Sequence, residues 1–233
     1  MSITIRYNIN YITNLRGKAL NKLCLAKLEK MAKRTKTLVY VMGRTLKPNT
    51  EVKKTELKDG AELSATERKI SGALMRVNHA GEIAAQGLYM GQALFARSEK
   101  TYDFMLDASE EELKHLEACH RRLAELGEEV SIFSPVWFLG SVLIGSFFGL
   151  QGDKISLGFI SETERQVENH LKGHLSKISK KDSLTRDLLK GMIEDEREHG
   201  DGAKENGGVL ESEFISSMMA ITSEIMKQVS YKL

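Results

Sequence analysis

Two matched separations constrain this chain most. A Glu-x-x-His pair at Glu112 and His115 follows Glu82 by 30 residues, and a second pair at Glu196 and His199 follows Glu164 by 32. On a helix, residues three apart share a face. The midpoints of the two separations, near residues 97 and 180, fall in the polar stretches "RSEKTYD" and "SKKDS". A helix that runs about 15 residues, turns and returns for about 15 brings its two marked positions to one height. Each half of the chain therefore reads as an antiparallel helical hairpin carrying one Glu opposite one Glu-x-x-His.

The surrounding residues place these groups on buried faces. Glu82 shares its face with Met75, Asn78, Ala85 and Tyr89, and Glu164 falls in the stripe Leu157, Ile160, Val167 and Leu171. Glu112 and His115 lie with Met105, Ala108 and Cys119, while Glu196 and His199 lie with Leu189, Met192 and Ala203. A carboxylate in an apolar core is costly without a compensating charge. Four of them with two neutral imidazoles balance two divalent cations. This is the di-iron or di-manganese arrangement of ferritin-like bundles. Mixed carboxylate and imidazole donors suit iron or manganese better than zinc or magnesium. Glu112 and Glu196 would bridge the ions, Glu82 and His115 would complete one, and Glu164 and His199 the other.

A third Glu-x-x-His, Glu117 and His120, lies five residues beyond the first. That offset turns it about 140° round the helix, away from the core, so it reads as a chance match. Asp195 is a candidate to orient an imidazole, with an ordinary surface acid as the competing reading. His79, one turn before Glu82, reads as a hydrogen-bond partner of that acid. His170 reads as reaching the cavity rim, and His174 as helix surface.

The expected fold is all-α, a ferritin-like four-helix bundle with an apolar crossover between the second and third helices and an extra C-terminal helix. "SATE" at Ser64–Glu67 has the capping-box pattern and opens a first helix over 64–97. Further helices are expected over 100–126, 156–178, from the N-cap Asp182 to about 205, and 211–230. Between the second and third lies "FSPVWFLGSVLIGSFFGL". After Pro135 it runs 15 residues, two Ser and three Gly among them, short of the roughly 20 apolar residues a spanning helix needs. It reads either as a crossover packed on the bundle or as a segment dipping into one leaflet. The last helix carries the stripe Phe214, Met218, Ile221 and Ile225, read as either membrane-facing or bundle-facing.

The net charge of +2 hides an asymmetry: residues 1–60 hold 14 Lys/Arg and 4 Asp/Glu. The expected organisation is a basic, partly disordered arm over 1–60 and a di-iron domain over 61–233. Such an arm suits anionic lipid. Tyr7, Tyr11 and Tyr40 are sparse for stacking bases, so nucleic acid is not an expected partner. The arm lacks the features of a signal peptide. Cys24 and Cys119 have no metal-motif spacing and suit a reducing cytoplasm.

The segments "LMRVNHAGEIAAQGLYMGQALFAR", "EEELKHLEACHRRLAELG", "SLGFISETERQVENHLKGHL" and "MIEDEREHGDGA" resemble the bacterial demethoxyubiquinone hydroxylase family of ubiquinone biosynthesis. The likeness covers about residues 60–233, including the crossover; the first 60 residues resemble it poorly. It implies a di-iron monooxygenase whose ligands match Glu82, Glu112, His115, Glu164, Glu196 and His199. It implies a 3-demethoxyubiquinol as substrate, with O2 giving one oxygen atom to the ring and the other to water. The reductant is left open between the quinol and a nicotinamide such as NADH; no Rossmann glycine pattern is visible. A polyprenyl quinol implies a peripheral enzyme on the cytoplasmic face of the inner membrane, in company with other ubiquinone-biosynthesis proteins. A soluble ferritin-like iron-oxidising or storage protein, or a di-metal peroxidase, is the alternative on the same ligands.

Overall fold

The computed structural model describes residues 22, 24–26, 28–37, 39–46 and 63–233. The expected N-terminal arm lies largely outside the described residues; those described between 22 and 46 are helical (α1). The chain divides into two units, Met1–Val41 and Met42–Leu233. The second contains α2 (Ala65–Phe95), α3 (Glu99–Leu126), α4 (Ser134–Gln151), α5 (Asp153–Lys177), α6 (Ser183–Glu205) and α7 (Glu213–Lys232). No strand occurs among the described residues. The chain is all-α, with the ferritin-like arrangement of two hairpins, a crossover and an added last helix.

Local chemistry sets the boundaries. Ser64 accepts the Glu67 amide while the Glu67 carboxylate accepts the Ser64 amide at 2.9 Å, which satisfies two orphan donors at the start of α2. Gly127 ends α3 in the left-handed conformation, with φ of 76°, where a side chain is disfavoured. Asp182 caps α6 by accepting the Thr185 amide at 3.1 Å. Its carboxylate also takes the Ser71 hydroxyl at 2.5 Å and an Arg122 guanidinium N–H at 2.7 Å, all of them buried. One acid thus ties α2, α3 and α6 together at one end of the bundle. Burial pushes the Asp182 carboxyl up, but the bonds from Ser71 and Thr185 and the nearby Arg122 hold it below the usual carboxylate range.

Core side chains fill that end of the bundle, with Met75, Leu123, Leu171, Leu189 and Met192 all essentially inaccessible. Burial of each such side chain contributes roughly 1.5–3 kcal/mol. Alternating acids and bases cover the outer faces of α3 and α6.

The crossover α4 lies against α2 through glycine. A Cβ at Gly91 would stand 2.4 Å from the Val142 carbonyl oxygen, and one at Gly145 would stand 2.3 Å from that of Leu88. Gly87 on α2 meets Phe138, Ser141 and Val142 on α4, Gly91 meets Val142, Gly145 and Ser146, and Gly149 on α4 meets Gln92, so the backbones touch as in small-x-x-x-small helix pairs. The opposite face of α4 is bare: Val136, Leu139, Leu143, Phe147 and Leu150 are 56–73% exposed. The crossover is therefore packed on the bundle by one face and open on the other, combining elements of both sequence readings.

Helix α7 has the same character. Phe214, Met218, Ile221 and Ile225 are 47–75% exposed, so that stripe does not pack on the bundle. Polar bonds fix the helix instead: Gln166 donates to the Ser216 carbonyl at 3.0 Å, Trp137 donates to Ser230 Oγ at 3.1 Å, and the Ile132 amide donates to the Leu233 carbonyl at 3.1 Å.

The α2–α4 contact gives a direct test. Gly91→Ala is expected to lower stability by about 1–3 kcal/mol through overpacking. Gly140→Ala, where a Cβ meets open space, is expected to be neutral or to stabilise by up to about 1 kcal/mol. Urea unfolding of the two variants measures the difference.

Candidate metal centre

Four helices each bring part of one cluster to the same depth. α2 supplies Glu82, α3 supplies Glu112 and His115, α5 supplies Glu164, and α6 supplies Glu196 and His199. All six are buried. Glu82, Glu112, His115 and Glu196 each offer a ligand atom within 4.8 Å of the others. His199 joins them, its Nδ1 standing 2.9 Å from Glu112 Oε1 and 3.9 Å from Glu196 Oε2. His115 Nδ1 stands 3.4 Å from Glu112 Oε2 and 3.9 Å from Glu196 Oε1. Glu164 stands beside Glu196 and accepts the Tyr89 hydroxyl at 2.7 Å.

Both imidazoles turn Nδ1 inward and Nε2 outward. His115 Nε2 meets Asp195 Oδ2 at 2.9 Å, and His199 Nε2 meets Glu111 Oε2 at 2.7 Å. Asp195 thus bonds an imidazole, as its first sequence reading held. The two bonds are reciprocal: an acid on α6 holds the His of α3, and an acid on α3 holds the His of α6. Each motif is therefore a pentad, "EELKH" and "DEREH", whose first acid reaches the opposite hairpin. Such a bond fixes the tautomer and leaves the inner nitrogen free to ligate.

Burial and mutual repulsion set the electrostatics of the cluster. Burial, then Glu112 and Glu196, push the Glu82 carboxyl well up. Burial, then Glu112 and Glu164, do the same for Glu196. Burial and Glu112 raise Glu164 to about 6. Glu112 goes the other way: burial pushes it up, but its bond to His115 and the nearby His199 imidazole hold it below the usual carboxylate range. Burial opposes charge on His199, yet the Glu112 and Glu196 carboxylates, 2.9 and 3.9 Å from its Nδ1, carry it up to about 12. Three of the four acids are thus pushed toward their protonated form, while positive charge is drawn to the imidazoles beside Glu112.

Several donor atoms nonetheless stay unsatisfied. Glu82 Oε2, Glu112 Oε1, Glu196 Oε2 and His199 Nδ1 are buried without a hydrogen-bond partner. His199 Nδ1 and Glu112 Oε1 stand close but are not aligned for a hydrogen bond, as befits two lone-pair donors facing a shared point. A buried unsatisfied group costs roughly 1–3 kcal/mol. Oxygen and imidazole donors, a −4 carboxylate set and inward lone pairs fit divalent cations of the iron or manganese type.

The remaining histidines divide as follows. Glu117 lies 3.6 Å from Arg44, and His120 sits outside the cluster with its ring 5.7 Å from that of His79. His79 was expected to bond Glu82; both its ring nitrogens are buried without a hydrogen-bond partner, so that expectation is corrected. The i,i+3 spacing leaves its ring over His120 on α3 rather than over the acid. His170 lines a narrow slot with Glu82. His174 was expected at the surface but is buried, with Nδ1 2.7 Å from Asn78 Oδ1; three residues after Leu171, it continues the buried stripe of α5. Sequence reasoning missed Tyr89 as a donor to Glu164 and Glu111 as a partner of His199. The signal for Tyr89 was its place on the Glu82 face, and for Glu111 its position in a pentad that matches Asp195.

Comparison with known proteins adds a family. The model described as "Ubiquinone biosynthesis protein COQ7" matches residues 69–230. A protein of Legionella pneumophila (strain Corby) named 3-demethoxyubiquinol 3-hydroxylase is 50% identical over 169 residues, covering 72% of this chain and 79% of that protein. Proteins of the same name from Nitrosococcus oceani, 47% identical over 169 residues, and Ralstonia pickettii, 43% identical over 175, cover 79% and 81% of their own lengths.

Because the buried groups hold protons that a cation displaces, metal binding should be linked to proton release. Titrating metal-stripped protein with Mn2+ in weak buffer at pH 7 is expected to acidify the solution. The same titration should raise the melting temperature.

Proposed function

Because the chain belongs to the COQ7 family of ubiquinone biosynthesis proteins, we propose that it is a 3-demethoxyubiquinol 3-hydroxylase, a monooxygenase acting on a quinol ring. Glu82, Glu112, His115, Glu164, Glu196 and His199 would hold its two iron ions. The observation that carries this reading is the convergence of six buried donors from four helices, with unsatisfied atoms turned toward one another. When bound, the iron pair supplies the activation of O2 and the insertion of one oxygen atom into the ring.

The chain's own residues prepare that chemistry. Glu112 and Glu196 each stand within 3.9 Å of both imidazoles and would be the acids central to the metal set. Glu82 with His115, and Glu164 with His199, complete the sets. Tyr89 donates to Glu164 and keeps that carboxylate from rotating. Asp195 and Glu111 hold the imidazoles in the tautomer with Nδ1 open, a role whose loss typically costs about 10–100-fold in affinity or activity. The apolar packing around Met75, Leu171 and Met192 excludes water from the cluster.

Substrate approaches from the side of α7. Val77, Asn78, Gly81, Glu82, His170 and Lys227 line a slot between α2, α5 and α7. At about 40 Å³ it is narrower than an aromatic ring, so α7 shifts as the quinol enters. The bare faces of α4 and α7 dock on the membrane that holds the prenyl tail, placing the enzyme peripherally on the cytoplasmic face of the inner membrane. The basic arm adds attraction to anionic lipid. Electrons come from the quinol or from a nicotinamide donor. An iron-storage or peroxidase reading uses the same ligands but leaves the bare apolar faces without a purpose.

Mass spectrometry of a short-tailed demethoxyquinol incubated with reduced enzyme and O2 is expected to show one added oxygen. Glu196→Ala should abolish that product and lose iron. Glu117→Ala should keep both within about twofold, as for a surface residue. Equal losses in the two variants would mean that the ligand face is misassigned.

A further inference from the structure

The acids outside the cluster bear on how cations reach it. Among the six inner residues the acids are 0–3% exposed, while His115 and His199 are 7% and 6% exposed. The imidazoles are therefore the ligands nearest to solvent, and both face the seam between α3 and α6. Each is capped there by an acid whose side chain is half in water, Asp195 at 50% and Glu111 at 53% exposure. These two acids touch ligand side chains and solvent at once. Asp107 lies one turn before Glu111, and Glu198 one turn after Asp195, so both share these faces. Four carboxylates thus line the seam, against Lys114.

The other approaches are unsuited to a hydrated cation. α2 is sealed by backbone contact with α4 at Gly87 and Gly91. One end of the bundle is closed by Met75, Leu123, Leu171 and Leu189. The slot under α7 holds little more than one water and carries Lys227 and His170 in its wall, whose ammonium repels a cation. Behind the seam lie unsatisfied buried donors, His199 Nδ1 and Glu112 Oε1.

We propose that the α3–α6 seam is the entry route for divalent cations, with Asp195 and Glu111 as transit ligands that take the ion from water and hand it inward to His115 and His199. The inference rests on the metal-binding reading above. An arriving ion draws each carboxylate off its imidazole, which frees the ring to swing and admit the ion. Once the ion is seated, the two crossed hydrogen bonds re-form and close the seam. Organic substrate and metal then use opposite sides of the bundle.

The test is the rate of Mn2+ uptake by the metal-stripped full chain, read in stopped flow with an indicator dye, with final content read from the same trace. Asp107→Asn/Glu198→Gln touches no ligand and removes two charges from the approach. It is expected to slow uptake by about tenfold at low salt, a difference that shrinks at high salt. Asp195→Asn and Glu111→Gln, which keep a hydrogen-bond acceptor, are expected to slow it similarly. Lys227→Met in the slot should leave the rate unchanged. Uptake at the wild-type rate in all the seam variants, or faster uptake in Lys227→Met with none of the seam variants slowed, overturns the route. Final content separates this from the metal reading itself: wild-type protein that ends with no bound Mn2+ refutes the site rather than the entrance.

Discussion

Four carboxylates withdrawn from water within one bundle are the constraint on which the rest of the structure depends. Left alone they repel one another and resist ionisation, which is why Glu82, Glu164 and Glu196 are pushed up while Glu112 is held down by the imidazoles. Apolar replacements of similar volume would commonly stabilise such a core. Their burial is intelligible when cations balance them. The hairpin geometry follows from the same need, because charges on four helices must meet at one depth. The ring of supporting acids follows too, since an imidazole that ligates through Nδ1 needs its other nitrogen satisfied.

The two hairpins share this burden almost symmetrically. Each contributes one acid and one pentad, whose first acid crosses to the other's histidine. The symmetry breaks in what surrounds them. On α2, small residues admit the backbone of α4, and the crossover leaves an apolar stripe bare. Against α2, and at one edge α5, lies α7, itself held by polar bonds. The bundle thus carries half-exposed acids between α3 and α6 and bare apolar faces on α4 and α7, and the proposed reading gives ions the first and a hydrophobic substrate the second.

Much of this was legible in the residues. Helix boundaries were readable because caps and stops are local chemistry, as at Ser64, Gly127 and Asp182. The six inner side chains were readable because helical period and hairpin length are rigid rules, and because Glu117 and His120 failed those rules. What escaped depended on rotamers and on neighbours from other helices. Glu111 looked like a third acid in a charged run, and only the approach of α6 shows that it meets His199. His79 had the spacing to meet Glu82, yet its ring turned to His120. His174 looked polar enough for the surface, but the stripe of α5 carried it inside to Asn78. The stripe on α7 could not be assigned from periodicity, because a face bound for a bundle and a face bound for lipid have the same pattern.

The most direct test of the central claim is anomalous diffraction at the iron edge from crystals of the iron-loaded protein. The account predicts two peaks per chain, enclosed by Glu82, Glu112, His115, Glu164, Glu196 and His199, with Glu112 and Glu196 contacting both. A single peak, or peaks beside Glu117 and His120 with the six side chains uncoordinated, would contradict it.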